Sequence, residues 1–413
     1  MVHSLPDKFV HAKPVRNRNV ATDTAPAQPP TDVLAAAQAL APLILAHRDE
    51  AEAIRHLPRE VADALAASGL LQLYLPRAMG GPELSPLTVF AAIEALSRVD
   101  GSAGWCAMIA CNISAFAGWL PTEVGRAFAG SPADFRGAGS VRPQGRAYPV
   151  GGGYRVRGSW DFTSGVHHAE WVMCTCVVMD GDRPVRSETG APQIRTMWVP
   201  ATQGRIADTW SVVGMRGTGS HDFVVEDVFV PETHCVWLAG PPSQPGPLYH
   251  PRLISSVVWT ATAANALGIA RGAIDAFVAM ASQAGSTMST TLLRDRALVQ
   301  TRVAEAEAIV QAARAYVISA AGEALDVVSG GTGDPGPAIA QARLAITHGM
   351  HEAVRAVDLV FHAAGTNAVY TRNPLERCFR DVHVAVQHAA GLPGHYESAG
   401  KVLLGLRPTD SGW

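Results

Sequence analysis

The apolar periodicity of the chain changes twice, and those two changes constrain its fold more than any single motif. From Thr31 to about Gly130, Ala-rich runs carry Leu and Val at three- and four-residue spacing, the pattern of amphipathic helices. Between roughly Arg136 and Val236 the period drops to two. Tyr154–Arg157, Trp171–Val178, Thr196–Pro200 and Phe223–Val230 read as strands, with Gly and Pro between them. After a Pro-rich link, Pro241 to Pro251, the helical period returns in Ser255–Ala284, Leu292–Val328, Pro337–Ala364 and Asp381–His388. The expected fold is α+β: an N-terminal helical domain (31–135), a central antiparallel β domain (136–240) and a C-terminal four-helix bundle (241–413). Residues 1–30 are polar and end in Ala25-Pro26-Ala27-Gln28-Pro29-Pro30, which predicts a disordered tail or an arm crossing to another subunit.

Composition narrows the function classes. Of 413 residues, 48% are hydrophobic and only 17% charged, which suits a chain with a large core and faces covered by other subunits. Thirty-three Lys and Arg against 36 Asp and Glu leave a formal charge of -3, which argues against a nucleic-acid partner. The six cysteines (Cys106, Cys111, Cys174, Cys176, Cys235 and Cys378) form no CxxC pair and read as reduced thiols of a cytoplasmic protein. The first 20 residues lack the continuous apolar stretch of a signal peptide. Ser255–Ala281 is interrupted by Asn265, Arg271 and Asp275, so it is expected as a buried core helix and not a membrane span.

Several standard catalytic devices are missing. There is no GxxxxGK[ST], HExxH or GxSxG, and Gly217-Thr218-Gly219 lacks the third glycine of a dinucleotide fingerprint. His167 and His168 are adjacent, so on a strand they would face opposite ways, and no metal site is expected.

Three segments together carry more information. Trp160-Asp161-Phe162-Thr163-Ser164-Gly165 enters the β block, and Met215-Arg216-Gly217-Thr218-Gly219-Ser220 precedes its last strand. Pro374-Leu375-Glu376-Arg377 is followed by Arg380-Asp381 and then His388. In helix–β–helix order, these segments resemble the acyl-CoA dehydrogenase fold superfamily from about Thr31 onward. Many of its dehydrogenases follow Arg-Asp with Tyr-Glu-Gly, whose glutamate removes the substrate α-proton. Here His388 and Ala389 stand at the tyrosine and glutamate positions, and alanine cannot take a proton.

The histidine and the Phe-Thr-Ser-Gly segment instead resemble the two-component flavin-dependent monooxygenases of this fold. The resemblance implies reduced FMN or reduced FAD delivered by a separate NAD(P)H-flavin reductase, O2 as co-substrate, and a C4a-hydroperoxyflavin that hydroxylates an aromatic or polycyclic small molecule. It implies a homotetramer built through the C-terminal bundle (241–413), which serves as the oligomerisation domain; the charge balance and the interrupted apolar segment already leave no nucleic-acid or membrane partner expected. By position, Ser164 would lie beside the reactive edge of the flavin and His388 on the opposite side, by the peroxide or a substrate hydroxyl. Trp160, Phe162, Thr163 and Ser164 would border the flavin, and Arg216, Thr218 and Ser220 would cover it or approach its phosphate. Trp105 and Asn112, seven apart on one helix face, would line the substrate pocket. His383 is expected to be structural, and Arg296 and Gln300 are adequately explained as a charged helical face. Arg294-Asp295-Arg296-Ala297-Leu298 lacks the Phe and Gly of the FAD-clasping Arg-x-x-Phe-Gly run, which favours FMN or a loosely exchanged flavin. Two alternatives remain: an acyl-CoA dehydrogenase-type FAD oxidoreductase with a relocated base, and a non-catalytic binding protein on the same fold.

Overall fold

The computed structural model describes residues 9–10, 32–130, 135–285 and 291–408. The N-terminal helices are α1 (Val33–Ala39), α2 (Ala41–Ile54), α3 (Arg59–Ala67), α4 (Pro86–Val99), α5 (Gly101–Phe116) and α6 (Thr122–Ala129). Their starts are chemically marked: Asp32, Ser85 and Asp100 each accept a backbone N–H three residues on, and Pro86 occupies the first turn of α4. Helix α5 is apolar or small on nearly every face and is buried from Gly101 to Ala115 apart from Ile109. It therefore threads the interior, with sheet on one side and bundle on the other.

The strands are β1 (Phe9–Val10), β2 (Gly137–Val150), β3 (Gly153–Trp160), β4 (Trp171–Asp180), β5 (Arg183–Pro184), β6 (Ile194–Pro200), β7 (Arg205–Ala207), β8 (Asp222–Pro231) and β9 (Cys235–Val236). They form one sheet in the order β1-β7-β8-β3-β2-β4-β6-β9, with β5 on β4. The domain is not purely antiparallel as the strand runs suggested, because β2 and β4 pair in parallel through Gly137↔Trp171 to Ser140↔Cys174. After the β2–β3 hairpin, the segment Asp161–Glu170 returns the chain to the start of β2, so β4 runs beside it in the same sense. Side-chain alternation is the same for both pairings, so the sequence could not distinguish them. Of the first 30 residues only Phe9–Val10 is described, and it pairs antiparallel with β7. The rest of the expected tail lies outside the described residues. Cys174 and Cys176 share the inner face with Trp160, Val156 and Phe223 in a second small core.

The C-terminal helices are α7 (Ile254–Ala281), α8 (Ala297–Gly330), α9 (Gly336–Ala364), α10 (Pro374–Ala385) and α11 (Gly394–Leu403). Helix α7 is long and apolar enough to cross a membrane by length and composition, yet it lies inside the protein against α4, α8, α9 and α10. Its buried Asn265 donates to Ser97 Oγ (2.8 Å) and the Gly101 carbonyl (3.0 Å), tying the bundle to the α4–α5 junction. The segment expected as an Asp381–His388 helix starts earlier, at the Asn373 cap, and stops at Ala385. His388 lies beyond that end and caps a short 3-10 turn, Ala389–Gly391. Helix α11 adds a short segment beyond the four expected helices.

Candidate active site

The loop after β3 passes to the start of β2 and lowers Ser164 into the interior, where it is 4% exposed. Trp105 on α5 donates its indole N–H to Ser164 Oγ at 3.1 Å. Ser164 Oγ lies 2.7 Å from Ser220 Oγ, which lies 2.6 Å from Thr218 Oγ1. Thr218 in turn donates to the Met215 carbonyl at 2.9 Å. A carbonyl only accepts, so this last bond fixes the sense of the chain: Thr218 spends its proton on Met215, Ser220 on Thr218, and Ser164 on Ser220. Ser164 Oγ, already accepting from Trp105, keeps one further acceptor lone pair.

His388 reaches the same indole. Its ring meets Trp105 edge-on, with centroids 5.5 Å apart and planes at 81°. The Ala390 N–H donates to Nδ1 at 3.2 Å, so the neutral ring carries its proton on Nε2. Burial pushes the imidazole pKa down to about 4, and the ring is neutral at pH 7. Unfolding releases it to the ordinary value near 6.5, so between about 4 and 6.5 the unfolded state binds more protons and stability falls as pH falls. The unfolding free energy of the wild type relative to His388→Gln is expected to drop by about 2 kcal/mol between pH 7 and pH 5, read by urea titration at both values. No drop would contradict a ring held neutral in the folded state.

The turn holding Thr218 and Ser220 is backed by imidazoles. His56 stacks on His167 at 4.1 Å, and His167 meets His221 edge-on at 5.0 Å. A side chain on Gly219 (φ +55°) would stand 2.8 Å from His56 Cβ, so glycine is required twice over, by space and by backbone conformation. Burial, reinforced by His56 and His221, lowers the His167 pKa to about 3. In the sequence this support shows only as the adjacent pair His167-His168, whose spacing points to no metal site.

Not every expected residue joins the site. Trp160 is fully buried in the sheet core and donates to the Thr175 carbonyl at 2.7 Å, so it does not border an open flavin surface. Arg216 turns away, bonding the Glu52 and Val212 carbonyls, and is spent on anchoring the turn to α2. Thr163 is buried and donates to the Trp160 carbonyl. Phe162 stands at the surface, 58% exposed at φ +54°, edge-on to Trp210. Asn112 is buried on α5, its amide nitrogen on Met108 Sδ and its oxygen without a partner. His383 bonds the Phe379 carbonyl and plays no part here. Arg296 lines a separate cavity of about 710 Å³ between the start of α8 and the end of α9, with Arg302, Arg355 and Asp358. Gln300 donates to the Arg294 carbonyl.

The arrangement fits a flavin. Phe162, two residues before Ser164, and Val213 (72% exposed), two residues before Met215, are exposed apolar side chains on the segments that carry the buried hydroxyls, which suits a planar ring with one polar edge. Ser164, Ser220 and Thr218 would hold that edge, and Phe162 would meet the face.

Comparison with known proteins agrees. Family models described as the N-terminal and C-terminal domains of acyl-CoA dehydrogenase match residues 34–120 and 260–391. An indole-3-acetate monooxygenase from Pseudomonas putida is 34% identical over 92% of this chain and 96% of its own. A flavin-dependent monooxygenase oxygenase subunit, HsaA, from Rhodococcus jostii is 30% identical over 90% of this chain and 98% of its own. Among solved structures, the 3-HSA hydroxylase from Rhodococcus sp. RHA1 superposes with a TM-score of 0.82 at 27% identity, covering 94% of this chain and all of its own. XiaF from Streptomyces sp., solved with FADH2, gives 0.82 at 26% identity, covering 92% and 96% of the two chains. The chain belongs to the flavin-dependent monooxygenases of the acyl-CoA dehydrogenase fold.

Proposed function

We propose that this chain is the oxygenase component of a two-component system in the cytoplasm, taking reduced FMN or FAD from a separate NAD(P)H-dependent reductase and hydroxylating an aromatic small molecule. The observation that carries this reading is the placement of one hydroxyl and one neutral imidazole against the same Trp105 indole. When bound, reduced flavin supplies the two electrons that let O2 place one oxygen on the substrate and release the other as water.

The residues orient and insulate that chemistry. Ser164, with its proton committed to Ser220, offers a lone pair to a ligand N–H. Reduced flavin has such a proton at N5 and oxidised flavin lacks it. His388 presents a neutral Nε2–H, a donor to oxygen as negative charge develops on it. Acting as a base would require Nδ1 to release the Ala390 amide, so the geometry supports the donor role over phenol deprotonation. An α-proton abstraction has no support, because Ala389 offers no carboxylate.

Ser164→Ala is expected to weaken reduced-flavin binding about tenfold while leaving oxidised-flavin affinity unchanged, as read by anaerobic and aerobic fluorescence titrations with FMN and FAD. Equal loss for both redox states would overturn the acceptor assignment. Homotetramer assembly is part of the same reading and is supported by Leu403, Leu404 and Leu406, which are 65%, 78% and 58% exposed on the single chain. Sedimentation showing a monomer at micromolar concentration would contradict it.

A further inference from the structure

Helix α10 bears Asp381 two turns before His388, and its carboxylate is only 3% exposed. Oδ1 accepts the Met215 N–H at 2.5 Å. Oδ2 faces the start of α5, where a side chain on Gly101 would stand 3.2 Å from it. The approach of the turn to α10 is close enough that a side chain on Gly214 would stand 2.4 Å from the Arg380 carbonyl, and Arg380 Nη1 donates to the Val213 carbonyl at 2.7 Å. Met215 itself adopts φ +54°, costly for a non-glycine residue and held by both ends of its peptide groups. Its N–H is on Asp381, and its C=O takes the Thr218 hydroxyl and the Trp210 indole.

These contacts close a circuit. From Asp381 it passes through Met215, Thr218, Ser220, Ser164 and Trp105 to His388, and α10 returns it to Asp381. We propose that Asp381 is a positioning residue for oxygen transfer, clamping the Met215–Ser220 turn to the helix that leads into His388 and so setting the separation of Ser164 from His388. The inference rests on the reading of Ser164 and His388 as the two sides of the flavin site.

The clamp sits among charges. Asp100, the buried N-cap of α5, faces it. On α10, Arg377 pairs with Asp49 and Glu52 and lies 4.0 Å from Asp100, while Arg380 pairs with Glu52 and Glu376. The half-buried Cys378 thiol shares the same surroundings, its pKa pushed up to about 12. Burial, then the neighbouring Asp100, raise the Asp381 pKa to about 7, against the pull of the Met215 N–H and Arg380. A charged carboxylate holds an N–H more strongly than a neutral acid does, so the clamp tightens as pH rises through 7.

The test needs no turnover. Hydrogen–deuterium exchange of the flavin-free full chain is followed at the 215–220 turn, corrected for intrinsic rates, at pH 6 and pH 8. In the wild type, protection at Met215 and Thr218 is expected to rise about threefold from pH 6 to pH 8. Asp381→Asn keeps an acceptor without the charge and is expected to lose that rise. Asp381→Ala is expected to expose both amides about tenfold and to lower product formed per O2 consumed by a similar factor, with substrate KM little changed. Should the alanine variant fail to fold, the asparagine variant decides alone. Unchanged protection and unchanged pH response in Asp381→Asn would overturn the clamp if Ser164→Ala and His388→Ala are impaired. If those two variants are also normal, the functional reading fails instead.

Discussion

His388→Ala is expected to lower hydroxylated product per O2 consumed by about a hundredfold, with the missing oxygen recovered as hydrogen peroxide. Removing the ring takes away the Nε2–H donor and also the edge contact that holds Trp105 in place. Fold and flavin affinity are expected to survive, because His388 sits past the end of α10 and caps only a three-residue turn. His388→Gln, whose amide can still donate, is expected to recover about tenfold of the loss. Oxygen-electrode and product assays on both variants check this. If the glutamine variant were as poor as alanine while His388→Lys was active, a proton-accepting role would replace the donor role argued above.

The second large effect concerns stability. Helices α4 and α7 approach so closely that a Cβ on Gly268 would stand 2.5 Å from the Glu94 carbonyl and 2.7 Å from Ser97 Cβ, while one on Gly272 would stand 2.5 Å from the Arg98 carbonyl. Alanine is worth about 1 kcal/mol over glycine in a free helix, but here the obstacle is backbone and cannot rotate away. Gly268→Val is expected to cost about 3 kcal/mol and lower Tm by several degrees. It would also pull Asn265 from Ser97 and Gly101, loosening the start of α5. A thermal shift within a degree of the wild type would show that the two helices separate freely.

The sequence disclosed most of the architecture because each layer has its own apolar period. The long helices α7, α8 and α9 fall where that period placed them, and Ser164 and His388 do meet through Trp105. What it hid were relations between segments. The parallel β2–β4 pairing leaves no mark in side-chain alternation. Trp160 belongs to a suggestive motif, yet it is the last inward residue of β3 and serves the sheet core. Arg216 belongs to the glycine-bearing Met215–Ser220 segment, and only the fold shows its guanidinium on the Glu52 and Val212 carbonyls. Asp381 read as half of a dipeptide signature, since its partner Met215 lies 166 residues away.

The central claim is that this chain holds reduced flavin and controls its reaction with O2 between Ser164 and His388. The most direct measurement mixes the anaerobic protein, loaded with reduced FMN or FAD, with oxygenated buffer and follows absorbance. The account predicts a spectrum distinct from both reduced and oxidised flavin, persisting longer than in free solution and shortened in Ser164→Ala and His388→Ala. Reoxidation at the rate of free flavin, with no such phase for either cofactor, would contradict it.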